Sequence, residues 1–152
     1  MKKIYIFSMI ATLAMGSCSK EEVTEDYTPA IAGTWKISKI AQISGKDGHI
    51  ISSVTLADCD VKNTYEFRKD NSFVFTYFSG GNCENTNTEE GTYDYQNSPS
   101  VNKLYIKYNG ETEVEENIVQ KLTELELQYY SSTLEDYNND GVMDKEVVYM
   151  HH

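Results

Sequence analysis

Asn63-Thr64-Tyr65-Glu66-Phe67-Arg68-Lys69-Asp70-Asn71-Ser72-Phe73-Val74-Phe75-Thr76-Tyr77-Phe78 is the stretch that decides the fold. Two runs rich in aromatic and β-branched residues flank four polar ones. In the second run Phe73, Phe75 and Tyr77 fall at every second position, so they share one face. That period is the mark of a half-buried strand, because successive side chains point to opposite sides of the pleat. Arg68-Lys69-Asp70-Asn71 supplies the turn residues that fold one run back on the other.

The same pattern extends in both directions from this hairpin. Before it, Thr34 to Ile43 reads as an opening strand, Gly45-Lys46-Asp47-Gly48 as a turn, and His49 to Leu56 as a second strand. After it, Ser79 to Glu90 reads as a long polar loop. Strands are then expected at Thr92 to Gln96, Lys103 to Tyr108, Glu113 to Lys121, Leu125 to Ser131 and Lys145 to Met150. Asn109-Gly110 is a strong hairpin signal. Leu104, Ile106 and Tyr108 share a face, as do Leu125, Leu127 and Tyr129. Val114, Ile118 and Leu122 are assigned to another face, interrupted by Glu116 and Gln120. About eight sequential antiparallel strands with no helical period predict an all-β fold, an antiparallel up-and-down β-barrel that removes its edges by closing. A two-sheet sandwich is the competing architecture. No internal repeat or second domain is visible.

Residues 1–17 read differently. Lys2 and Lys3 precede an apolar run from Ile4 to Leu13, the size of a signal-peptide core and too short to span a bilayer, which takes ~20 residues. Leu13-Ala14-Met15-Gly16-Ser17-Cys18 resembles a bacterial lipobox. The resemblance implies cleavage before Cys18 and acyl chains on Cys18, with the membrane as partner through that N-terminal lipid. Residues 18–30 are expected to be a flexible acidic tether, since they hold too little apolar surface to fold and their charges repel. Lys20-Glu21-Glu22 resembles the acidic export signal of surface-exposed lipoproteins of some Gram-negative bacteria. It implies an outer-membrane, lipid-anchored protein exposed at the cell surface. The folded domain is then 31–152.

The chain of 152 residues has 13 basic and 24 acidic side chains, a formal charge of −11, and losing Lys2 and Lys3 with the leader makes it more acidic still. Such a surface repels nucleic acid and anionic headgroups and attracts cations. No nucleic-acid partner is expected.

Gly33-x-Trp35, Cys59, Tyr65-Glu66-Phe67-x-x-Asp70-Asn71-x-Phe73, Cys83, Gly91-Thr92-Tyr93 and Leu104-x-Ile106 fall in one order along the chain. Together they resemble the lipocalin-like domain common among small bacterial lipoproteins, over nearly all of 31–152. The Gly-x-Trp usual on the later strand is Gly91-x-Tyr93 here. The resemblance implies a small antiparallel barrel and no particular ligand.

With Cys18 assigned to lipid, Cys59 and Cys83 leave one disulfide pairing, in a compartment that permits oxidation. It would pin the segment before Asn63 to the loop after Phe78. Two cysteines without flanking histidines make a poor zinc site. Asp136-Tyr137-Asn138-Asn139-Asp140-Gly141-Val142-Met143-Asp144 matches the first nine positions of an EF-hand-type loop. The expected cofactor is a structural Ca2+, held by Asp136, Asn138, Asp140, the Val142 carbonyl, Asp144 and Glu146. Position twelve of that pattern, normally a bidentate Glu, is Val147. The competing reading is a hairpin turn with solvated carboxylates.

No enzyme is expected. The sequence carries no nucleophile with a base and no phosphate-binding Gly-rich loop, and His49, His151 and His152 lack metal-ligand spacing. Glu115/Glu116 and Glu89/Glu90 read as solvated charge, and Trp35 as a barrel plug. The leading expectation is a binder of a small apolar or amphipathic molecule, with Phe73, Phe75, Tyr77, Tyr93, Leu104 and Ile106 on the cavity wall. The alternative is a solid-core barrel acting through its surface as an interaction or accessory protein.

Overall fold

The computed structural model describes residues 30–132 and 134–152. The leader, Cys18 and all of the tether but Ala30 therefore lie outside the described residues. Nine strands follow in order: β1 (Gly33–Ile43), β2 (Ile50–Val54), β3 (Thr64–Phe67), β4 (Ser72–Ser79), β5 (Asn85–Ser98), β6 (Val101–Tyr108), β7 (Glu115–Leu122), β8 (Glu126–Ser131) and β9 (Lys145–His151). Sequential neighbours from β3 to β9 pair antiparallel. β9 then returns to pair with β1 from Lys36 to Ile43, which closes the sheet. β2 pairs with Ile40–Ile43 and β3 with Gly33–Trp35, both on the same flank of β1. They are two halves of one strand position, so nine strands form an eight-stranded up-and-down barrel, the architecture expected.

One end of the barrel is solid. Trp35, Phe73, Leu104 and Leu127 are fully buried together, with Ile31, Phe67, Tyr93, Ile106 and Met150 packed around them. Burying side chains of this size stabilises by roughly 1.5–3 kcal/mol each. The Trp35 indole N–H donates to the Ile31 carbonyl at 2.9 Å, which folds the chain start under the barrel as a plug. Phe67 meets Phe73 at 5.2 Å between ring centroids and Tyr93 edge-on at 5.0 Å.

Tyr93 explains how the departure from Gly-x-Trp is accommodated. Its hydroxyl donates to the Arg68 carbonyl at 2.8 Å and its backbone N–H to the Asn71 carbonyl at 2.9 Å. The phenol thus holds the turn between β3 and β4, where Asn71 takes a left-handed φ of 64°. Gly91, two residues earlier, lies against β6 so closely that a Cβ would sit 2.1 Å from the Lys107 carbonyl oxygen.

Two expectations are corrected. The segment expected as a loop from Ser79 to Glu90 is a strand from Asn85 onward, paired residue by residue with β4. Its side chains from Asn85 to Glu90 are exposed on both faces, so no apolar alternation marks it. The inner face of β7 is also not Val114, Ile118 and Leu122. Val119 and Asn117 are the buried residues, Val114 is half exposed, and an irregularity between Val119 and Lys121 brings Leu122 inward. A bulge inverts the parity on which alternation depends.

Cys59 and Cys83 form the expected disulfide, with Cα atoms 5.3 Å apart. It ties the excursion between β2 and β3 to the β4–β5 connection. The Asn63 side-chain oxygen accepts from the Phe78 N–H at 2.9 Å beside it. The sequence separation is 24 residues. In the chain-entropy account a loop of that size stabilises by about 3–4 kcal/mol. Cys59→Ala/Cys83→Ala is expected to lower the urea-unfolding free energy by about that amount, as read from equilibrium denaturation.

Candidate functional site

The six residues expected to line a cavity occupy two levels. Phe73, Tyr93, Leu104 and Ile106 are buried in the filled end, where they pack against one another and the plug. Phe75 and Tyr77 lie higher on β4, half-buried, with ring centroids 5.4 Å apart. Tyr65 stacks on Phe75 at 4.4 Å. Tyr108 meets Phe73 edge-on at 5.5 Å. A layer of aromatic rings therefore separates the apolar base from the other end.

Above that layer the inner face turns polar. Glu115 pairs with Ile106 and Asn117 with Leu104, so both follow the inward side of the sheet. Glu89 pairs with Phe75, and Asn87 with Tyr77, on the same inner face. Of these, Glu115 and Asn117 line a cleft of about 470 Å³, together with Glu111, Glu113, Val114, Glu116, Ser131 and Ser132. The pairs read as solvated charge are thus split by the pleat. Glu89 and Glu115 face in. Glu116 faces out, where it accepts from the Lys103 ammonium at 2.7 Å. Sequence reasoning missed Glu115 and Asn117; the available signal was the Leu104-x-Ile106 face across the hairpin, which fixes their side.

The electrostatics follow from partial desolvation. Burial, aided by Glu111, raises the Glu115 carboxyl above its ordinary range. Burial pushes the Tyr65 phenol up to about 12, with Glu115 and Glu89 adding to it. Burial likewise raises Tyr108 and Tyr129, again with Glu115 contributing. All three phenols are neutral donors at physiological pH. The Asn117 residue is 6% exposed, and its Nδ2 has no hydrogen-bond partner among the described residues.

The acidic loop near the chain end is organised by its own backbone. Asp144 is fully buried. Its Oδ1 accepts from the Gly45 N–H and its Oδ2 from the Tyr137 N–H, both at 2.9 Å. Gly45 is required there, since a Cβ would stand 1.9 Å from the Met143 carbonyl oxygen. Asp136 accepts from the N–H groups of Asp140 and Gly141, Asn138 from Asp140, and Asp140 from Val142. Glu146 lies on β9, paired with Gln42 and on the side of the strand that carries Val148 and Met150. Among the described residues no three acidic, histidine or cysteine side chains converge on a point that one metal ion could occupy. As arranged, Asp136, Asp140 and Asp144 accept from backbone amides.

A closed antiparallel cup with a filled apolar base, an aromatic layer and a polar opposite end is a calyx. The chain belongs to the lipocalin-like domain family, whose model matches residues 31–129. Among solved structures, the crystal structure of a dog lipocalin allergen is similar at a TM-score of 0.38 and 14% identity, over 80% of this chain and 73% of that one. No curated protein matches the sequence.

Asp144→Ala removes the acceptor of two part-buried amides and is expected to cost about 1–3 kcal/mol in chelator, as read by thermal or urea unfolding. Glu115 gives a pH signature of opposite sign to a salt-bridged acid. Its folded-state value lies above the unfolded one, so as pH rises the unfolded chain releases the proton first and stability falls. Below the ordinary carboxylate range both states hold the proton and the effect is gone. Glu115→Gln should therefore raise the melting temperature at neutral pH and leave it unchanged in acid, as read from melts across that range.

Proposed function

We propose that this protein is a lipid-anchored envelope lipoprotein whose barrel binds a small amphipathic ligand in its mouth and performs no chemistry on it. One observation supports the binding half of the reading: the inner surface changes from close-packed apolar to aromatic to acidic along the barrel, and Glu115 and Asn117 of its polar end line an open cleft of about 470 Å³. Pockets of roughly 300–1,000 Å³ suit small molecules.

The anchoring half rests on the lipobox resemblance at Cys18 and the acidic segment after it. Two or more acyl chains give stable membrane attachment where a single chain does not. Attachment through a tether that reaches at most ~35–40 Å would hold the mouth clear of headgroups. Calcium uptake by the 136–144 loop is a separate proposal. It requires Asp136, Asp140 and Asp144 to exchange amide bonds for the ion, and a melting temperature raised by calcium in the native protein but not in Asp140→Ala would support it.

The alternative, a solid barrel working by its surface, draws on the filled base and on the exposed Ile50 and Val54 of β2. Native mass spectrometry of the protein extracted from its own membrane separates the two. The expected spectrum carries diacyl or triacyl mass on Cys18 and a co-purifying small molecule that gentle activation releases. Acylated protein without adduct, and without uptake of any added amphiphile, would favour the surface reading.

A further inference from the structure

The barrel wall is not paired along its whole height. On one flank of β1, β3 takes Gly33 to Trp35 and β2 takes Ile40 to Ile43, so residues 36–39 have no strand on that side among the described residues. Across from them, β4 pairs with β3 only as far as Thr76, and residues 77–79 pair with β5 alone. A window is left between β1 and β4, midway between base and mouth. Its inner border is Ile37 on one side and the stacked rings of Tyr65, Phe75 and Tyr77 on the other, all half-buried. Residues 55–62, which lead from the end of β2 towards β3 by way of the Cys59–Cys83 bond, form a strap across it. None of them is buried, and their single 3₁₀ turn, Asp60–Lys62, carries a half-exposed Val61. The N–H groups of Ala57, Asp60, Val61 and Lys62 are all bonded within the strap itself. At its foot the Asn63 side-chain oxygen accepts from the Phe78 N–H at 2.9 Å, which is the bond a longer β3 would have made. The disulfide is what fastens its middle to the connection between β4 and β5.

We propose that this strap is a shutter over a side entrance to the aromatic layer, and that the redox state of Cys59 and Cys83 sets whether it opens. The use of the entrance by a ligand rests on the small-ligand reading; the shutter does not. The chemistry is thiol–disulfide exchange with a dithiol, small or carried on a protein. One thiolate of the dithiol attacks a sulfur of the Cys59–Cys83 bond, forms a mixed disulfide and releases the other cysteine. The second thiol of the dithiol then displaces the remaining cysteine. Two electrons and two protons pass to Cys59 and Cys83, and the dithiol leaves as a disulfide. Both cysteines are half-buried, so a thiol can reach them. Once reduced, the strap keeps one hydrogen bond at its foot and buries no side chain, which puts its release at the low-energy end of local unfolding. The β1–β9 seam and the filled base around Trp35, Phe73, Leu104 and Leu127 do not pass through it, so they stay closed when it lifts.

Hydrogen exchange of the purified protein, read by mass spectrometry with and without dithiothreitol, tests the shutter. In the reduced protein the amides of residues 57–63 and of Phe78 are expected to exchange about tenfold or more faster than in the oxidised protein, while those of β6, β7 and β8 remain protected. Cys59→Ala/Cys83→Ala should behave as the reduced protein in both buffers, which separates the bond from any other action of the reductant. Unchanged exchange in the strap would overturn the proposal, because packing alone then holds it down. Loss of protection in β6 to β8 to the same level would also overturn it, because the bond then guards the whole fold and not one window. Nile red, a neutral amphiphile followed by stopped-flow fluorescence, tests the entrance. Uptake is expected to be about tenfold or more faster in the reduced protein, as the strap amides are. Equal uptake rates with an open strap would overturn the entrance and leave the small-ligand reading standing. No uptake in either state would remove that reading and the entrance with it, and hydrogen exchange alone then decides the shutter.

Discussion

The pairing of β1 with β9 is the constraint on which the rest depends. The other ladders join consecutive strands or, for β1 with β3, segments one strand apart in sequence, whereas this one joins Lys36–Ile43 to Lys145–His151 across most of the domain. Until it forms, both segments are sheet edges and the inner face is open to water along its length. Its position also explains two features at opposite ends of the barrel. At the base, Trp35 is bonded to Ile31 and packed against His152, the residue after β9, at 3.9 Å between ring centroids. At the mouth, Asp144, the residue before β9, accepts from Gly45, two residues past β1. The seam is clamped at both ends, by an aromatic contact where the interior is dry and by a buried carboxylate where loops must turn.

Closure turns a sequence pattern into a gradient. From base to mouth, the inner face of β7 runs Leu122, Val119, Asn117, Glu115, and that of β9 runs Met150, Val148, Glu146. The β4–β5 ladder runs Phe73 opposite Gly91, Phe75 opposite Glu89, and Tyr77 opposite Asn87. Three separate parts of the wall therefore change from apolar to polar at the same height. A barrel filled only for stability has no use for that change, since inward polar groups cost free energy wherever water cannot reach them.

Much of the barrel was legible because its base obeys simple rules. Phe73, Phe75, Leu104, Ile106, Leu127 and Tyr129 alternate without interruption, and turn residues stand between them. The mouth was illegible for the same physical reason that it is interesting. Asn85 to Glu90 carries only Thr86 and Thr88 as strand signals, because both of its faces meet water. Glu115 and Asn117 looked like solvent-facing residues because polar side chains on the inner face near an open end are written in the same letters as a surface. Ile118 looked inward because hydrophobicity was taken as burial, although it pairs with Tyr130 on the outer face. The bulge that reverses the parity of β7 leaves no mark in the letters around Gln120.

The Asp-rich loop shows how one pattern can serve two chemistries. Asp, Asn and Gly at alternate positions suit a calcium ligand set because their short side chains turn oxygens inward around a tight bend. The same short side chains accept from backbone N–H groups two to five residues on, which is how they stabilise turns with no ion at all. Here Asp136 and Asp140 each have such an amide, and Asn139 and Gly141 take the left-handed φ values, 59° and 83°, that the bend demands. The burial of Asp144 decides the balance. A fully buried carboxylate is tolerable only with its oxygens satisfied, and both are, one from each of the two segments it joins. The loop's first duty is therefore to hold the seam, and any ion it takes must compete with bonds that already keep the barrel shut.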